Sequence, residues 1–322
     1  MPPRKRPPKR PARTTAPRPT RADDAAGARG TLIIVGGHED KTDERLILTA
    51  LARRVNGGRL VVATVASQEP DALWRDYEAV FGDLGVRHVV HLDVQSRQEA
   101  QEPDRLRLLD SADAVFFTGG DQLKITSQLG DSPLYERIRQ IYLEGGTVAG
   151  TSAGASVMAE TMLVSGESDA SPRIGTGVRM APGLGLFPGA IIDQHFAERG
   201  RVGRLVGAVA QNPRILGVGI DEDTAIVLEP GGCFSVLGRG AVYVLDGARV
   251  TYSNLTEEET DRALSTFDVR LHMLTMGDAF DLATRTPANR PAEEAERELV
   301  DEAKPARRPK RAPRRKPAAT RG

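Results

Sequence analysis

Short apolar segments alternate with amphipathic segments through the first half of this chain, and this alternation restricts the possible folds more than any other feature. Five apolar runs have the length and composition of strands buried on both faces: 31–35, 60–65, 89–92, 114–117 and 147–149. Four segments between them carry apolar residues at helical spacing: 43–55, 73–84, 106–109 and 135–143. Strands that alternate with helices form parallel βαβ units with right-handed crossovers. The sequence therefore predicts an α/β fold with a three-layer, doubly wound, mostly parallel sheet.

The second half of the chain has a different pattern. Residues 164–192 are rich in Gly and Pro and predict a long loop around a short strand at 173–176, and residues 193–196 open a polar segment. A helix is predicted over 201–210. Further strands are predicted at 216–220, 224–228, 234–237, 242–245 and 270–275. Close spacing and Gly-rich turns indicate that the first four form antiparallel hairpins that extend the sheet.

The even charge balance of the chain conceals an acidic body between two basic ends. Residues 1–22 contain eight basic residues and residues 303–322 contain nine, with no acidic residue in either segment. Without those 17, residues 23–302 hold 27 basic and 44 acidic residues, a net charge of −17. Both ends lack large apolar side chains, so burial cannot offset their chain entropy. We predict a basic disordered tail at 1–29, an α/β domain at 30–280 and a polar, Pro/Arg/Lys-rich disordered tail at 281–322.

Three roles fit the basic tails. They are solubilising or tethering segments, they contact an anionic polymer such as nucleic acid or polyphosphate, or they fold back onto the acidic body. No aromatic residue is interleaved with the basic ones for base stacking. Specific recognition of nucleic-acid bases is therefore not expected, while contact with phosphate groups stays one of the three alternatives.

Several classes of protein are excluded by what the sequence lacks. No apolar segment follows the N-terminal basic run, so a secretory signal is not predicted. No window approaches the ~18 apolar residues of a membrane span. Cys233 is the only cysteine, which excludes an intrachain disulfide and a cysteine zinc site. Gly36-Gly37 lacks the spacing of a dinucleotide-binding loop. We expect a cytoplasmic protein without membrane contact, cofactor or metal.

Residues 150–154 read Gly-Thr-Ser-Ala-Gly and match the G-x-S-x-G pattern of a nucleophile elbow. The predicted strand at 147–149 precedes the pattern, and a helix is predicted over 155–163. Strand, Ser and helix in that order are the context in which the pattern has this meaning, because the glycines allow the sharp turn that exposes the serine. Ser152 is thus a candidate nucleophile, and the alternative is a plain tight βα turn.

Polar or glycine-rich loops follow three of the predicted parallel strands: 36–40, 119–122 and 150–152. Ligands bind at the carboxyl ends of the strands in open α/β sheets. We expect these three loops to converge on one cleft.

A serine nucleophile needs a base, and the base needs an acid that orients it. Among five histidines, His195 is the first candidate because polar and charged residues surround it; His38, at a strand end, is the second. The best acid is in Asp221-Glu222-Asp223, although a solvated acidic turn is the alternative. The implied order of Ser, His and acid differs from that of the α/β-hydrolases.

Five motifs in order are similar to those of a known family. They are Val35-Gly-Gly-His-Glu-Asp-Lys41, Phe116-Phe-Thr-Gly-Gly-Asp-Gln-Leu123, Gly150-Thr-Ser-Ala-Gly-Ala155, Asp193-Gln-His-Phe196 with the arginines after it, and Gly219-Ile-Asp-Glu-Asp-Thr-Ala225. Over about residues 30–277 the chain resembles the cyanophycinases, serine peptidases related to the aspartyl dipeptidases. The resemblance implies a fold like that of class I glutamine amidotransferase domains, and it points to a homodimer.

The resemblance also implies roles for individual residues. Ser152 matches the family's nucleophile, His195 its general base and Glu222 the acid that orients the base. Six residues match positions that line the substrate pocket: Gln122, Asp193, Gln194, Arg199, Arg201 and Arg204. The arginines are suited to bind substrate carboxylates bidentately. We expect the backbone N–H groups of Ala153 and Gly120 to be the oxyanion donors. The family often has a small residue where His38 stands.

The implied substrate is cyanophycin, a poly-aspartate chain with arginine on each side chain, and the implied products are β-aspartyl-arginine dipeptides. Whether the cleavage is exo or endo stays open. A second hypothesis is a relative that cleaves other aspartyl or β-aspartyl peptides. A third is a non-catalytic α/β scaffold that binds anionic polymers through its tails. A glutamine amidotransferase is not expected, because Ser152 stands where those enzymes carry Cys.

Overall fold

The computed structural model describes residues 30–55, 57–165, 178–256 and 262–288. Its strands, in chain order, are β1 Thr31–Val35, β2 Arg59–Ala63, β3 His88–Leu92, β4 Ala112–Phe117, β5 Thr147–Thr151, β6 Thr161–Ser165, β7 Arg179–Pro182, β8 Ala190–Gln194, β9 Leu216–Ile220, β10 Thr224–Glu229, β11 Cys233–Gly238, β12 Val242–Asp246, β13 Tyr252–Ser253, β14 Thr266–Phe267, β15 Arg270–Leu274, β16 Ala279–Asp281 and β17 Thr286–Ala288. The α-helices are α1 Leu46–Val55, α2 Pro70–Asp83, α3 Pro103–Arg107, α4 Gln122–Leu129, α5 Pro133–Glu144, α6 Ala153–Ser156 and α7 Val202–Gln211.

Nine strands form the main sheet in the order β17-β16-β11-β10-β1-β5-β4-β2-β3. The five strands from β1 to β3 in this order are parallel, and β10, β11, β16 and β17 are added antiparallel to one another and to β1. This confirms the predicted α/β class and the mostly parallel, doubly wound core. It also confirms that hairpin strands extend the sheet on one side.

The core lies on both faces of the main sheet, because successive residues of a strand point to opposite faces. Leu32 and Ile34 of β1 belong to a buried cluster that includes residues of α4 and α5. Ile33 and Val35 of the same strand belong to the opposite cluster, with residues of α1 and α2. All four side chains are fully buried. Helices therefore cover both faces, as the continuous apolar runs of the sequence predict.

A second sheet of four strands has the order β15-β12-β9-β8, with β8 and β9 parallel. The prediction that the hairpins from 216 to 245 all extend the main sheet is therefore wrong for β9 and β12. Close packing explains the difference. A Cβ added to Gly217 of β9 would lie 2.8 Å from Val209 of α7, and one added to Gly219 would lie 2.6 Å from the ring of Phe196. The glycines of β9 let α7 and Phe196 pack directly on this sheet.

The predicted helix over 155–163 is wrong in extent. Helix α6 has only four residues, and the chain continues into β6, which pairs with β7. After α6, the carbonyls of Val157 and Met158 accept hydrogen bonds from Leu184 and Phe187, so the chain pairs with a distant segment instead of continuing the helix. Tertiary pairing therefore overrides the local helical pattern here.

Three further predictions need correction. Residues 190–194, placed in a loop and a polar segment, form the fully buried strand β8. Helix α4 was not predicted, although the Asp121 carboxylate caps it by accepting a hydrogen bond from Leu123 N at 2.8 Å. Strand pairing continues to β17, at residue 288, beyond the expected domain boundary at 280.

The predicted strand at 173–176 and the tail segments 1–29 and 289–322 lie outside the described residues. Among the described helices, none has the length and apolar character needed to cross a membrane.

Candidate active site

Four strands end at one edge of the molecule and bring the candidate residues together. In the main sheet, Val35 at the end of β1 is in register with Thr151 at the end of β5. In the second sheet, Gln194 at the end of β8 is in register with Ile220 at the end of β9. The backbone N–H of His195 donates to the carbonyl of Gly36 at 2.8 Å and ties the two edges together. Loops that are far apart in sequence therefore meet at one cleft, as the topology predicts.

Ser152 occupies a strained turn between β5 and α6. Its φ is 54°, in the left-handed region that non-glycine residues rarely adopt, and its N–H donates to the carbonyl of Val35 at 3.1 Å. A Cβ on Gly150 would lie 2.4 Å from the Gly154 carbonyl oxygen, and a Cβ on Gly154 would lie 2.4 Å from that of Phe117. Both glycines are needed because the backbone approaches too closely for a side chain. This turn has the sequence and context of a nucleophile elbow.

His195 follows β8 and reaches Ser152. Its Nε2 lies 2.9 Å from Ser152 Oγ, and its side chain is buried. Gly37 lies against the imidazole, since a Cβ built there would be 2.3 Å from Cε1. The φ of Gly37 is 109°. The first strand-end loop therefore supports the ring that the serine contacts.

Glu222 holds the other side of the imidazole. Its Oε1 lies 2.6 Å from His195 Nδ1, so the ring carries its proton on Nδ1 and presents a lone pair at Nε2. The flanking acids have other partners: Asp221 accepts from Ala197 N at 2.9 Å, and Asp223 accepts from Asp40 N at 2.8 Å. The alternative of a solvated acidic turn does not describe this segment, because Asp221 is buried and bonded.

Burial and charge act in opposite directions on this pair. Burial lowers the pKa of His195 below its ordinary 6.5, and the hydrogen bond that the imidazole donates to Glu222 opposes that effect. Although partial burial disfavours its charge, hydrogen bonds from His38 and His195 lower the pKa of Glu222. At neutral pH the arrangement is therefore a neutral imidazole between an ionised carboxylate and a serine hydroxyl. Such a chain of groups can remove the proton from the serine as it attacks an acyl carbon.

His38 lies on the outer side of the same carboxylate. Its Nδ1 is 2.8 Å from Glu222 Oε2, and its side chain is 72% exposed. The two imidazole rings meet edge to face with centroids 5.0 Å apart. His195, and not His38, contacts the serine, so the alternative base is not supported. One ligand atom each from His38, His195 and Glu222 lie within 4.8 Å of one another, a geometry that can hold a metal ion.

The Gly119-Gly120 loop borders the serine. A Cβ on Gly119 would lie 3.4 Å from Ser152 Cβ and 3.8 Å from Oγ. Gly120 has a φ of 139°, and a Cβ there would lie 2.1 Å from the Ala66 carbonyl oxygen, so only glycine fits. Ala153 is the first residue of α6. Both expected oxyanion donors thus belong to backbone segments adjacent to the nucleophile.

The polar residues predicted to bind substrate fall into two groups. Asp193, Arg201 and Arg204 form a buried cluster: Arg204 binds Asp193 through two nitrogens, with Nε to Oδ2 at 2.7 Å, and Arg201 Nη1 lies 3.2 Å from Oδ1. These arginines use their donors inside the protein, which corrects the expectation that they bind substrate carboxylates bidentately. Arg201 Nη1 also binds Gln194 Oε1 at 2.9 Å. Within the described part of the chain, Arg201 Nε has no hydrogen-bond partner.

The other group lies nearer the surface. Arg199 is exposed on the turn after His195, where its N–H donates to the His195 carbonyl and its charge contributes to the lowered pKa of that histidine. Gln122 is half-buried at the start of α4 and donates from Nε2 to the Leu163 carbonyl at 2.5 Å. Of the arginines predicted to bind substrate, Arg199 is the one on the surface of the cleft.

Sequence reasoning did not single out Glu39. This carboxylate is buried and accepts hydrogen bonds from Thr151 Oγ1 at 2.5 Å and from the Tyr77 hydroxyl. Lys41 Nζ lies 4.2 Å from the centre of the Tyr77 ring. Burial raises the pKa of Tyr77, and so does the charge of Glu39. The only feature of the sequence that could have indicated Glu39 is its position in the loop after the first strand. Through Thr151, Glu39 anchors the strand that leads into the serine turn.

Comparison with known sequences gives consistent matches. The profile of peptidase family S51 matches residues 32–236. The chain is 40% identical over 262 residues to a cyanophycinase of Synechococcus elongatus, covering 80% of this chain and 81% of that one. It is 37% identical over 262 residues to a cyanophycinase of Geminocystis herdmanii, covering 80% of this chain and 96% of that one.

Among solved structures, a peptidase from an acI-B1 actinobacterium superposes with a TM-score of 0.60 at 22% identity. The match covers 80% of this chain and 98% of the other. At this identity the likeness concerns the fold alone.

Proposed function

The chain belongs to peptidase family S51, and we propose that within this family it hydrolyses cyanophycin, multi-L-arginyl-poly-L-aspartate, to β-aspartyl-arginine dipeptides. The proposal is supported by the 40% identity to cyanophycinases over 80% of the chain. The observation that carries it is the unbroken chain of hydrogen bonds from Glu222 through His195 to Ser152, at 2.6 Å and 2.9 Å. These three residues are the proposed catalytic residues.

The proposed reaction proceeds through an acyl-enzyme. Ser152 Oγ attacks a backbone carbonyl carbon of the polymer while His195 Nε2 takes the hydroxyl proton, and Glu222 stabilises the imidazolium that forms. Collapse of the tetrahedral intermediate breaks the C–N bond, and His195 returns the proton to the leaving amine. Water, activated by the same histidine, then hydrolyses the ester. The N–H groups of Ala153 and Gly120 are the proposed oxyanion donors, each worth roughly 10²–10³ in rate.

Electrostatics supports a substrate rich in guanidinium groups. The 23–302 segment carries a net charge of −17, so it holds an excess of carboxylates that can pair locally with the guanidinium on every repeat. Arg199 is exposed beside His195 and is the proposed contact for a free substrate carboxylate. The proposed role of the buried cluster is to support the wall of the pocket from inside the protein; the cluster consists of Asp193, Gln194, Arg201 and Arg204. Gln122 is proposed to border the pocket.

Two alternatives make different predictions. An enzyme for other aspartyl or β-aspartyl peptides would hydrolyse such dipeptides and leave cyanophycin intact. A scaffold that binds anionic polymers through basic tails would keep its binding in Ser152→Ala. The order of strands, the serine turn and the bonded histidine favour the enzyme.

Product analysis by mass spectrometry tests the proposal. The full chain is incubated with purified cyanophycin, with polyaspartate lacking arginine, and with β-aspartyl dipeptides. We expect release of β-aspartyl-arginine from cyanophycin alone. If folded protein releases nothing from cyanophycin and cleaves the dipeptides instead, the second alternative replaces the proposal.

We also propose that the protein is a cytoplasmic homodimer and that β15 contributes to the interface. This strand is at the edge of the second sheet, so its outer backbone groups face no strand among the described residues. Leu271 and Met273 are 54% and 60% exposed on it. Sedimentation of Leu271→Lys should show monomers where the wild type shows dimers. A dimer that survives the substitution would place the interface elsewhere.

A further inference from the structure

Two imidazoles and one carboxylate converge at the mouth of the cleft. His38 Nδ1 lies 2.8 Å from one oxygen of Glu222, and His195 Nδ1 lies 2.6 Å from the other. One ligand atom from each residue lies within 4.8 Å of the others. Two imidazole nitrogens and one carboxylate oxygen form a donor set that binds Zn²⁺ in proteins and leaves a fourth position for water.

We propose that His38, His195 and Glu222 bind a transition-metal dication such as Zn²⁺, and that binding switches hydrolysis off. The second half of this proposal rests on the function proposed above, whereas the first half does not. The metal is an inhibitor here and takes no part in the reaction.

The inhibition follows from where the protons lie. In the metal-free site His195 carries its proton on Nδ1 and accepts the serine proton at Nε2. A metal bound to Nδ1 needs the lone pair of that atom, so the proton moves through solvent to Nε2. The imidazole keeps one proton and loses its free lone pair, and Ser152 then has no base. Glu222 at the same time exchanges its hydrogen bonds for coordination.

The donors can reach the required geometry with small movements. Zn–N and Zn–O distances of roughly 2.0–2.2 Å require ligand atoms within ~4.2 Å of each other. His38 is 72% exposed and Glu222 26% exposed, so both can rotate, whereas His195 is held by Gly37 and its backbone bond to Gly36. The exposed His38 also gives the ion a path from solvent. The affinity of the site for a metal should therefore depend most on His38.

A binding measurement tests the site without relying on activity. Calorimetric titration of Zn²⁺ into untagged full-length Ser152→Ala keeps all three donors and excludes turnover. We expect one site whose affinity falls at least ~10-fold in Ser152→Ala/His38→Ala, because a ligand is lost. His38→Asn serves as a second variant, since Asn tolerates the φ of 48° at this position. The matched control is His88→Ala, at an exposed histidine on β3, which should leave the affinity unchanged.

An inhibition measurement then tests the switch, with each variant compared with its own metal-free rate. We expect Zn²⁺ to stop hydrolysis of cyanophycin by the wild type, EDTA to restore it, and His38→Asn to need at least ~10-fold more Zn²⁺ for half inhibition. Binding that is equal with and without His38 overturns the site. Binding at the site without loss of hydrolysis overturns the switch. If the wild type shows no hydrolysis at all, the proposed function fails while the calorimetry still decides the metal site.

Discussion

At the scale of single residues, four of the nine non-glycine residues with positive φ in the described part of the chain lie at the cleft. Ser152, His195 and His38 have φ values of 54°, 48° and 48°, and Asp223 beside Glu222 has 47°. Non-glycine residues in this region cost of order 1–3 kcal/mol each and persist only where the surrounding structure holds them. The backbone bonds from Ser152 to Val35 and from His195 to Gly36 provide that restraint. The strain at these four neighbouring polar residues supports the proposal that this cleft is the active site.

The first prediction concerns Glu222→Gln, which keeps the shape and removes the charge. The wild-type kcat/KM should rise with pH as His195 loses its proton, with a midpoint below 6.5 because burial lowers that pKa. Glu222 opposes the lowering, so the variant's pKa should be lower still and its acid limb should move to lower pH. The plateau should fall by ~10²–10⁴, because the imidazolium and its tautomer lose their support.

The measurement is a pH series of kcat/KM on cyanophycin for both proteins. An unchanged plateau would show that Glu222 does not orient the base. If the acid limb of the variant's pH profile moved to higher pH, the carboxylate would act on a group other than His195.

The sequence pointed to Ser152 through the elbow pattern, to His195 because the chain has only five histidines and polar residues surround this one, and to the 221–223 acids because they follow a predicted strand. The choice of Glu222 among those acids came from the family resemblance. Sequence reasoning did not reach Glu39 or the bond between His38 and Glu222. Those contacts join loops 112 and 184 residues apart in sequence, and local patterns do not encode which strand ends become neighbours. The wrong expectation that Arg201 and Arg204 bind substrate has the same cause. Their partner Asp193 lies on a strand that the sequence pattern did not show.

At the scale of elements, close contacts between loops keep the proposed base, His195, in place. Gly37 follows β1 and touches the ring of His195, which follows β8. We predict that Gly37→Ala lowers kcat at least ~10²-fold, because the added Cβ displaces the imidazole and a small misplacement of a catalytic group costs this much. Rate measurements at saturating cyanophycin, with circular dichroism as a check on folding, test this prediction.

Gly85→Ala is the matched control. Gly85 has a φ of 87°, near the 109° of Gly37, but an added Cβ would have no atom within 4 Å. Both substitutions therefore carry backbone strain, and only one touches the base. Equal loss of rate in the two variants would attribute the effect to strain alone.

The third prediction concerns the buried cluster that joins β8 to α7. Asp193→Ala should lower the free energy of unfolding by about 3–5 kcal/mol, because the guanidinium groups of Arg201 and Arg204 stay buried without a counter-charge. Burial already lowers the pKa of Arg201 to about 10 even with Asp193 present. Urea denaturation measures the change. Glu136→Ala, which breaks the exposed pair with Arg139, should cost less than ~1 kcal/mol, and a similar cost for both would contradict the account.

Elements with a strong local signal were predicted well, and those set by tertiary pairing were not. The five parallel strands are continuous apolar runs, and α1, α2 and α5 between them follow the helical spacing. Helix α3 shares only residues 106 and 107 with the short helix predicted at 106–109. The segment after α6 is apolar and helix-compatible, yet it pairs with residues 179–187. Strand β8 ends in the polar residues Asp193 and Gln194, which in the sequence indicate an exposed segment. They are buried in the structure because arginine side chains bind them, and the sequence pattern does not show that pairing.

At the scale of the whole molecule, charge is divided between the acidic 23–302 segment and the basic ends. We predict that deletion of residues 1–22 and 303–322 leaves kcat on cyanophycin within about twofold, because the proposed catalytic residues lie within 30–288. The same deletion should remove any salt-dependent binding of polyphosphate or DNA, since it removes 17 basic residues. Fluorescence anisotropy at two salt concentrations measures the binding. Binding that is unchanged by the deletion would rule out the tails as the contact.

Every other assignment in the site depends on Ser152 as the nucleophile, and one comparison tests this role directly. Wild type, Ser152→Ala and Ser127→Ala are incubated with cyanophycin, and β-aspartyl-arginine is quantified by mass spectrometry. Ser127 is exposed on α4 and serves as the control. Ser152→Ala should release at least ~10³-fold less product than the wild type, while Ser127→Ala should match it. Release from a folded Ser152→Ala at the wild-type rate would contradict the assignment of the active site.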